Sequence, residues 1–214
     1  MNRIIFYFLL LFLVSNINVV AKDDNNAKLI LEKTSKIISN SGDMEIEFTA
    51  SSFMKNEPQG NISGTIYLKG RKFNLVSTNI VSWYNGKTLW TLNKASDEVN
   101  VSIPSMHERQ AMDPYLFCDL YKQGYTYSMI STSLRGHDCY EIKMQAIEKN
   151  QSVQEMIVTI DKKTNLPLCV RMREGSKYWV RISVLKSKLK QKYDSDKFEF
   201  NSKDYPTATI VDIR

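Results

Sequence analysis

The rhythm of polar and apolar positions changes several times along this chain, and each change marks an element. Between Asn25 and Ser41, the residues Ala27, Ile30, Thr34, Ile37 and Ile38 recur at helical spacing with Leu31 beside them, and Gly42 stands where a helix-ending glycine belongs. The period then drops to two. Met44, Ile46, Phe48 and Ala50 alternate with polar residues, as do Ile62, Gly64, Ile66 and Leu68, and Lys69-Gly70-Arg71 makes a tight turn into Phe73 and Leu75. A hairpin at Asn85-Gly86 and a strand from Glu98 to Ile103 complete about six consecutive antiparallel strands. Residues 104–124 break the alternation. Asp113 suits an N-cap, Pro114 the first helical position and Gly124 the stop, while Leu116, Phe117, Leu120 and Tyr121 share one face, so a short amphipathic helix is expected there. Strands resume over 125–133, 137–147, 153–160, 166–173 and 177–186, and a short last strand is expected from Ala208 to Asp212. The pattern predicts about eleven strands, one long first helix and one mid-chain helix.

The hairpin concentrates aromatic area. Asn-Gly between apolar-rich segments predicts a two-residue type I′ loop, in which Tyr84 faces Lys87, Trp83 faces Thr88 and Val81 faces Trp90. One face then carries Val81, Trp83, Thr88, Trp90 and Leu92; the other carries Ile80, Ser82, Tyr84, Lys87, Leu89 and Thr91. Each aromatic buries ~150–250 Å² when covered. Either the sheet curls over a helix and closes a dry core, or it leaves a cavity for an apolar ligand. Periodicity is compatible with both, and with Trp83 and Trp90 as plain core.

The first residues add a compartment. Arg3 precedes an unbroken apolar run, Ile4 to Val14, shorter than the ~20 residues of a membrane span, and Val19-Val20-Ala21 follows with small or short residues. Residues 1–21 therefore read as a cleavable signal peptide, with the mature chain, 22–214, forming one domain in the periplasm. No cysteine follows the cleavage site, so no lipid anchor is expected. The formal charge of +6 includes Arg3, and its removal leaves +5. Behind a signal peptide this mild excess does not suggest nucleic acid. The stretch Lys186-Ser-Lys188-Leu-Lys190-Gln-Lys192 reads as a solvated strand face, and would also suit approach to an anionic membrane surface.

Candidate chemistry is sparse. Cys118, Cys139 and Cys169 form no disulfide framework and read as buried thiols, although one pair could close in an oxidising compartment. The two histidines, His107 and His137, belong to no metal-binding or hydrolase motif, and no Gly-rich phosphate loop occurs. In His137-Asp138-Cys139 neighbouring side chains point to opposite faces of a strand, so adjacency makes no dyad, and Arg135–Asp138 reads as an exposed turn. No catalytic residue, metal site or cofactor is expected, and the chain does not read as an enzyme.

The order of these elements, with Met44-Glu-Ile-Glu-Phe48, Gly64-Thr-Ile-Tyr-Leu-Lys-Gly-Arg-Lys-Phe73, Trp83-Tyr-Asn-Gly-Lys-Thr-Leu-Trp90, Asp161-Lys-Lys-Thr-Asn-Leu-Pro167 and the ending Ile210-Val-Asp-Ile-Arg214, resembles the periplasmic outer-membrane lipoprotein carrier (LolA-like) family, most nearly its Bacteroidetes-type members. The resemblance implies a mainly β fold with an α lid. A curved, unclosed antiparallel half-barrel of about eleven strands would be covered by the N-terminal helix and the mid-chain insertion. The space between would hold lipoprotein acyl chains on their way from inner to outer membrane. On that reading Phe48, Ile66, Leu68, Phe73, Leu75, Trp83, Trp90 and Leu92 face the cavity, and Leu116, Phe117 and Leu120 line the lid. Shielding ~10 methylenes at ~0.8 kcal/mol each would gain about 8 kcal/mol gross. In the family an arginine from the early strands bonds to lid backbone. Here the matching region, Leu68 to Phe73, is one residue shorter and lacks the family's proline, so Arg71 or Lys69 is the gating candidate. The implied partners of this monomer are acylated lipoproteins, an inner-membrane lipoprotein-releasing ABC transporter and an outer-membrane acceptor. The alternatives are a carrier of other lipids or glycolipids, and a lipoprotein-sensing (RseB-like) module, although that family's second, smaller domain is not expected here.

Overall fold

The computed structural model describes residues 25–105, 121–122, 124–175 and 177–214. The expected signal peptide and mid-chain helix, with Leu116, Phe117, Leu120, His107 and Cys118, lie outside the described residues. The first helix, α1, spans Asn25–Ser39 and buries Ala27, Leu31, Thr34 and Ile38; of the predicted stripe Ile30 and Ile37 are only half-buried, and Leu31, expected beside it, lies at its centre. It ends through Ser41, whose backbone N–H and hydroxyl both donate to the Ile38 carbonyl, and Gly42 follows at φ +67°.

Eleven of the twelve strands form a continuous antiparallel series: β1 Asp43–Met54, β2 Glu57–Lys69, β3 Lys72–Ser77, β4 Ile80–Tyr84, β5 Leu89–Asn93, β6 Glu98–Ser102, β7 Tyr125–Leu134, β8 His137–Ala146, β9 Val153–Asp161, β10 Pro167–Glu174 and β11 Tyr178–Gln191. Thr209–Asp212 is β12. All twelve belong to one sheet in the order β12-β6-β5-β4-β3-β2-β1-β11-β10-β9-β8-β7. Its ends, β12 and β7, do not pair, so the sheet is open rather than a closed barrel.

Three features depart from expectation. The β1–β2 hairpin is longer than its apolar alternation, because Lys55 and Asn56 at φ +52° and +71° make a tight turn that lets polar Ser51, Ser52, Gly60 and Asn61 pair as well. The β4–β5 loop holds four residues, with Tyr84 facing Leu89, Trp83 facing Trp90 and Val81 facing Leu92. The Asn85 side-chain oxygen accepts the backbone N–H groups of Lys87 and Thr88 at 3.0 and 2.9 Å, holding the wider loop. This offset of two residues moves Lys87 and Thr88 into the loop but keeps the strand side chains on their predicted faces, since strand faces repeat with period two. Third, β12 runs parallel to β6, with Ile210 beside Val99. Residues between β11 and β12, including short 3-10 turns at Ser195–Phe198 and Ser202–Asp204, form a strap that returns the chain from the middle of the sheet to its edge.

Candidate functional site

Cross-strand partners share a face of the sheet, so the register sorts its side chains. Met44–Leu68–Phe73–Tyr84–Leu89 is one row, and Ile46–Ile66–Leu75–Ser82 the next. Across β11 the same face continues through Ile182–Val170–Val158–Ile142–Met129 and Val180–Met172–Met156–Met144–Tyr127. The buried stripe of α1 joins residues from both halves in one apolar cluster. We call this the inner face. Because α1 lies against edge strand β7 and shares that cluster with Phe73 and Tyr84 of β3 and β4, the sheet wraps the helix.

The inner face is fully buried beneath α1 and wider than the helix. Leu31, Met44, Leu68, Ile142, Met144, Met156, Val158 and Ile160 are all buried at 2% exposure or less. Further along, Ala50, Val180, Ile182 and Met172 are only half-buried, and Ile62 is 41% exposed. Five of the nine methionines, Met44, Met129, Met144, Met156 and Met172, line this face. Unbranched thioether chains repack readily around different apolar shapes. Among the described residues, one buried side-chain polar atom here has no hydrogen-bond partner: the Thr34 hydroxyl of α1.

The structure divides the predicted lining set. Phe48, Ile66, Leu68, Phe73 and Leu75 lie on the inner face with Tyr84. Trp83, Trp90 and Leu92 lie on the opposite, outer face, because Trp83 pairs with Asn74 while Phe73 pairs with Tyr84. There they join Val81, Val99 and Val101 in a second apolar cluster covered by Phe200, Tyr205 and Ala208 of the strap. The Trp83 ring meets Phe200 and Tyr205 edge-on, each at 5.5 Å between centroids, and those two rings stack at 5.6 Å. The single cavity wall expected of both sets is thus two walls, back to back. The four-residue connection Ser77–Ile80, closed by the Ser77 hydroxyl on the Ile80 backbone, sets this phase.

A polar clasp holds the other end of the strap. Lys69 donates to the Tyr193 carbonyl and sits 3.4 Å from Asp43; Asp43 in turn accepts the Tyr193 N–H at 2.9 Å. The Tyr193 hydroxyl reaches Glu45 at 3.3 Å, and Lys197 lies 3.6 Å from the centroid of Tyr67. Burial, then the neighbouring Glu45 charge, push the Tyr193 hydroxyl up to about 12. The hydrogen bond from Lys188 holds the Glu45 carboxyl below its usual range. Lys69 therefore faces the outer strap, and Arg71 occupies the exposed β2–β3 turn.

His137 finds its partner across the sheet rather than next in sequence. Its Nδ1 is 2.5 Å from Asp161, which also accepts the N–H groups of Lys163 and Thr164. Burial tends to raise the Asp161 carboxyl, but these donors outweigh it and leave it lowered. Such an aspartate organises the β9–β10 turn. Cys139 and Cys169 are buried free thiols, and burial raises Cys139, leaving it a poor nucleophile. Among the described residues no group of three or more His, Cys, Asp or Glu could hold a metal ion, and no helix is long and apolar enough to cross a membrane.

Residues 17–176 match the family described as outer membrane lipoprotein carrier protein LolA. The chain belongs to that family. No curated protein matches the sequence. In fold, this LolA-family chain is similar to an uncharacterized conserved protein from Thermus thermophilus, at TM-score 0.56 and 12% identity, covering 87% of this chain and 99% of that one. It also matches a putative outer membrane lipoprotein-sorting protein domain from Vibrio parahaemolyticus (TM-score 0.44, 12% identity, 80% and 95% covered). A third match is the Pseudomonas aeruginosa MucA/MucB complex (TM-score 0.41, 11% identity, 83% and 62% covered). The open sheet around a first helix is the arrangement expected from the resemblance. Unanticipated from sequence were the methionine lining beyond Met44 and the strap aromatics Tyr193, Phe198, Phe200 and Tyr205. The alternation Tyr140-Ile142-Met144 against Met156-Val158-Ile160 carries the first signal; nothing local carries the second.

Proposed function

We propose that this LolA-family protein is a periplasmic carrier that holds lipoprotein acyl chains against the inner face of its sheet, beside α1, and ferries them between membranes without chemistry. One observation supports this most: the apolar inner face extends past the helix to half-buried Val180, Ile182 and Met172 and exposed Ile62. A chain laid there would bury apolar area at ~25 cal/mol per Å². In this reading Phe48, Ile66, Leu68, Phe73 and Leu75 contact the acyl chains, and Leu116, Phe117 and Leu120 close over them. Trp83, Trp90 and Leu92 back the wall instead. Lys69 serves the strap, which leaves Arg71 as the gating candidate. Residues 1–21 direct export, and 22–214 work as one monomeric domain. An inner-membrane ABC transporter would load it and an outer-membrane acceptor would unload it.

Native mass spectrometry of the protein exported to a periplasm and purified without detergent tests the proposal. Adducts of acylated protein are expected. Adducts of free phospholipid or glycolipid would keep the binding face and change the cargo. A clean apo mass with no uptake of added acylated peptide would refute the carrier reading.

A further inference from the structure

α1 turns a second surface to solvent. Between it and the end of β11 runs an open groove of about 530 Å³ floored by Leu29, Ile37 and Leu189. Lys33, Lys36 and Lys190 stand along it, with Glu32 as the one carboxylate in its lining. Leu29 is 60% exposed.

The charges here differ from those higher on the same strand. Lys186 and Lys188 lie 4.0 and 2.5 Å from Glu47 and Glu45, so the outer face largely neutralises them. Lys33, Lys36 and Lys190 are exposed and form no ion pair among the described residues. Lys190 is set apart by its backbone as well. Asp43 pairs with Gln191 and Glu45 with Lys188, so Leu189 and Lys190 together oppose Met44, a bulge. Leu189 goes to the core, and Lys190 sits at φ +57° with its N–H on the Ser41 carbonyl at 2.7 Å. That conformation suits glycine or asparagine. A lysine held there is aimed by the bulge away from the paired carboxylates and toward α1.

Long cationic side chains around an exposed leucine, on an open groove rather than an enclosed pocket, match the interface of an anionic bilayer. The stems lie along apolar surface, the ammonium groups meet lipid phosphates, and the leucine enters the acyl boundary. We propose that the α1–β11 corner docks the protein on an anionic membrane surface through Lys33, Lys36, Lys190 and Leu29. Docking there would bring the helix that covers the inner face to the membrane itself. The inference needs no acyl cargo and stands apart from the carrier reading.

The test is co-sedimentation of the purified protein with phosphatidylglycerol/phosphatidylethanolamine vesicles and with neutral phosphatidylcholine vesicles. Binding to the anionic vesicles alone is expected, and its loss at about 1 M salt, where the Debye length is ~3 Å. Each of Lys33→Gln, Lys36→Gln and Lys190→Gly should weaken it about five-fold, and the triple variant about 100-fold. Lys190→Gly relieves the left-handed strain, so its melting temperature should not fall, which separates lost docking from lost folding. The control is Lys87→Gln with Lys163→Gln and Lys203→Gln, three exposed lysines elsewhere. Equal weakening by that triple would reduce the effect to net charge and overturn the site. So would failure to sediment with anionic vesicles, whether or not the protein captures an acidic polypeptide such as polyglutamate.

Discussion

Replacing Trp83 with alanine separates the two faces of the sheet. Trp83 is 8% exposed on the outer face, wedged against Phe200 and Tyr205 at 5.5 Å each. Two edge-on aromatic pairs contribute ~0.5–1.5 kcal/mol apiece beyond area burial. The whole truncation should cost about 3–5 kcal/mol, typical of a buried tryptophan. That is a large share of the ~5–15 kcal/mol that holds most domains. Phe200→Leu, which removes the ring pairs with Trp83 and Tyr205 and keeps most of the volume, should cost about 1–3 kcal/mol. Urea unfolding followed by circular dichroism measures both, since two tryptophans remain in the first variant and three in the second, and fluorescence would mix signals. Uptake of an apolar probe, measured where each variant is folded, should be unchanged in both, because Trp83 and Phe200 lie across the sheet from the inner face. Met156→Ala at the inner face should do the reverse in proportion, altering uptake most. The reasoning fails if Trp83→Ala abolishes probe uptake while costing less than ~1 kcal/mol; the tryptophans would then line the binding site and the strap would be its lid.

Other consequences follow from single residues. A Cβ at Gly64 would stand 2.3 Å from the Val76 carbonyl oxygen and 3.1 Å from the Ser77 Cα, both backbone atoms, so Gly64→Ala should cost about 1–3 kcal/mol in urea unfolding; a change under ~0.5 kcal/mol would show that β2 and β3 part easily. Thr34→Val keeps the β-branched shape and removes a buried unpaired hydroxyl. It should raise stability by about 1 kcal/mol and the melting temperature by ~2–4 °C, and a lower melting temperature would mean the hydroxyl has a partner. Tyr193 ionises near 10.0 when unfolded and at about 12 when folded, so above pH 10 the unfolded chain sheds a proton that the folded one keeps. Its contribution is therefore full below pH 10 and lost between pH 10 and about 12. Tyr193→Phe should flatten that alkaline loss, and an unaltered profile would disprove the clasp's role.

Local pattern was enough for most of the fold because it records which side of an element meets water. Of the helical stripe, Ala27, Thr34 and Ile38 are buried as their spacing requires, with Leu31 beside them. Strands 125–134, 137–146 and 153–161 fall within a residue or so of their predicted bounds. The hairpin kept its faces even though its loop is two residues longer, because an even shift leaves side chains where they were. That Phe48, Ile66, Leu68, Phe73 and Leu75 share one face was legible for the same reason. The tryptophans were not, since joining their phase to that of Phe73 depends on how the Ser77–Ile80 connection turns.

What the sequence by itself determined, then, is periodicity: one amphipathic helix and a long run of two-faced strands. Tertiary structure decided what covers each face. Trp83 is apolar at a predictable position, but the rings that bury it, Phe200 and Tyr205, arrive from more than 110 residues later on a strap whose own pattern is irregular. Lys69 reads as a turn residue until Asp43 and Tyr193 close around it. β12 reads as a strand, but its parallel pairing with β6 exists only because the strap crosses the sheet first. Burial of a face is a local property of alternation; the partner that buries it is a long-range contact, and alternation carries no information about distance along the chain.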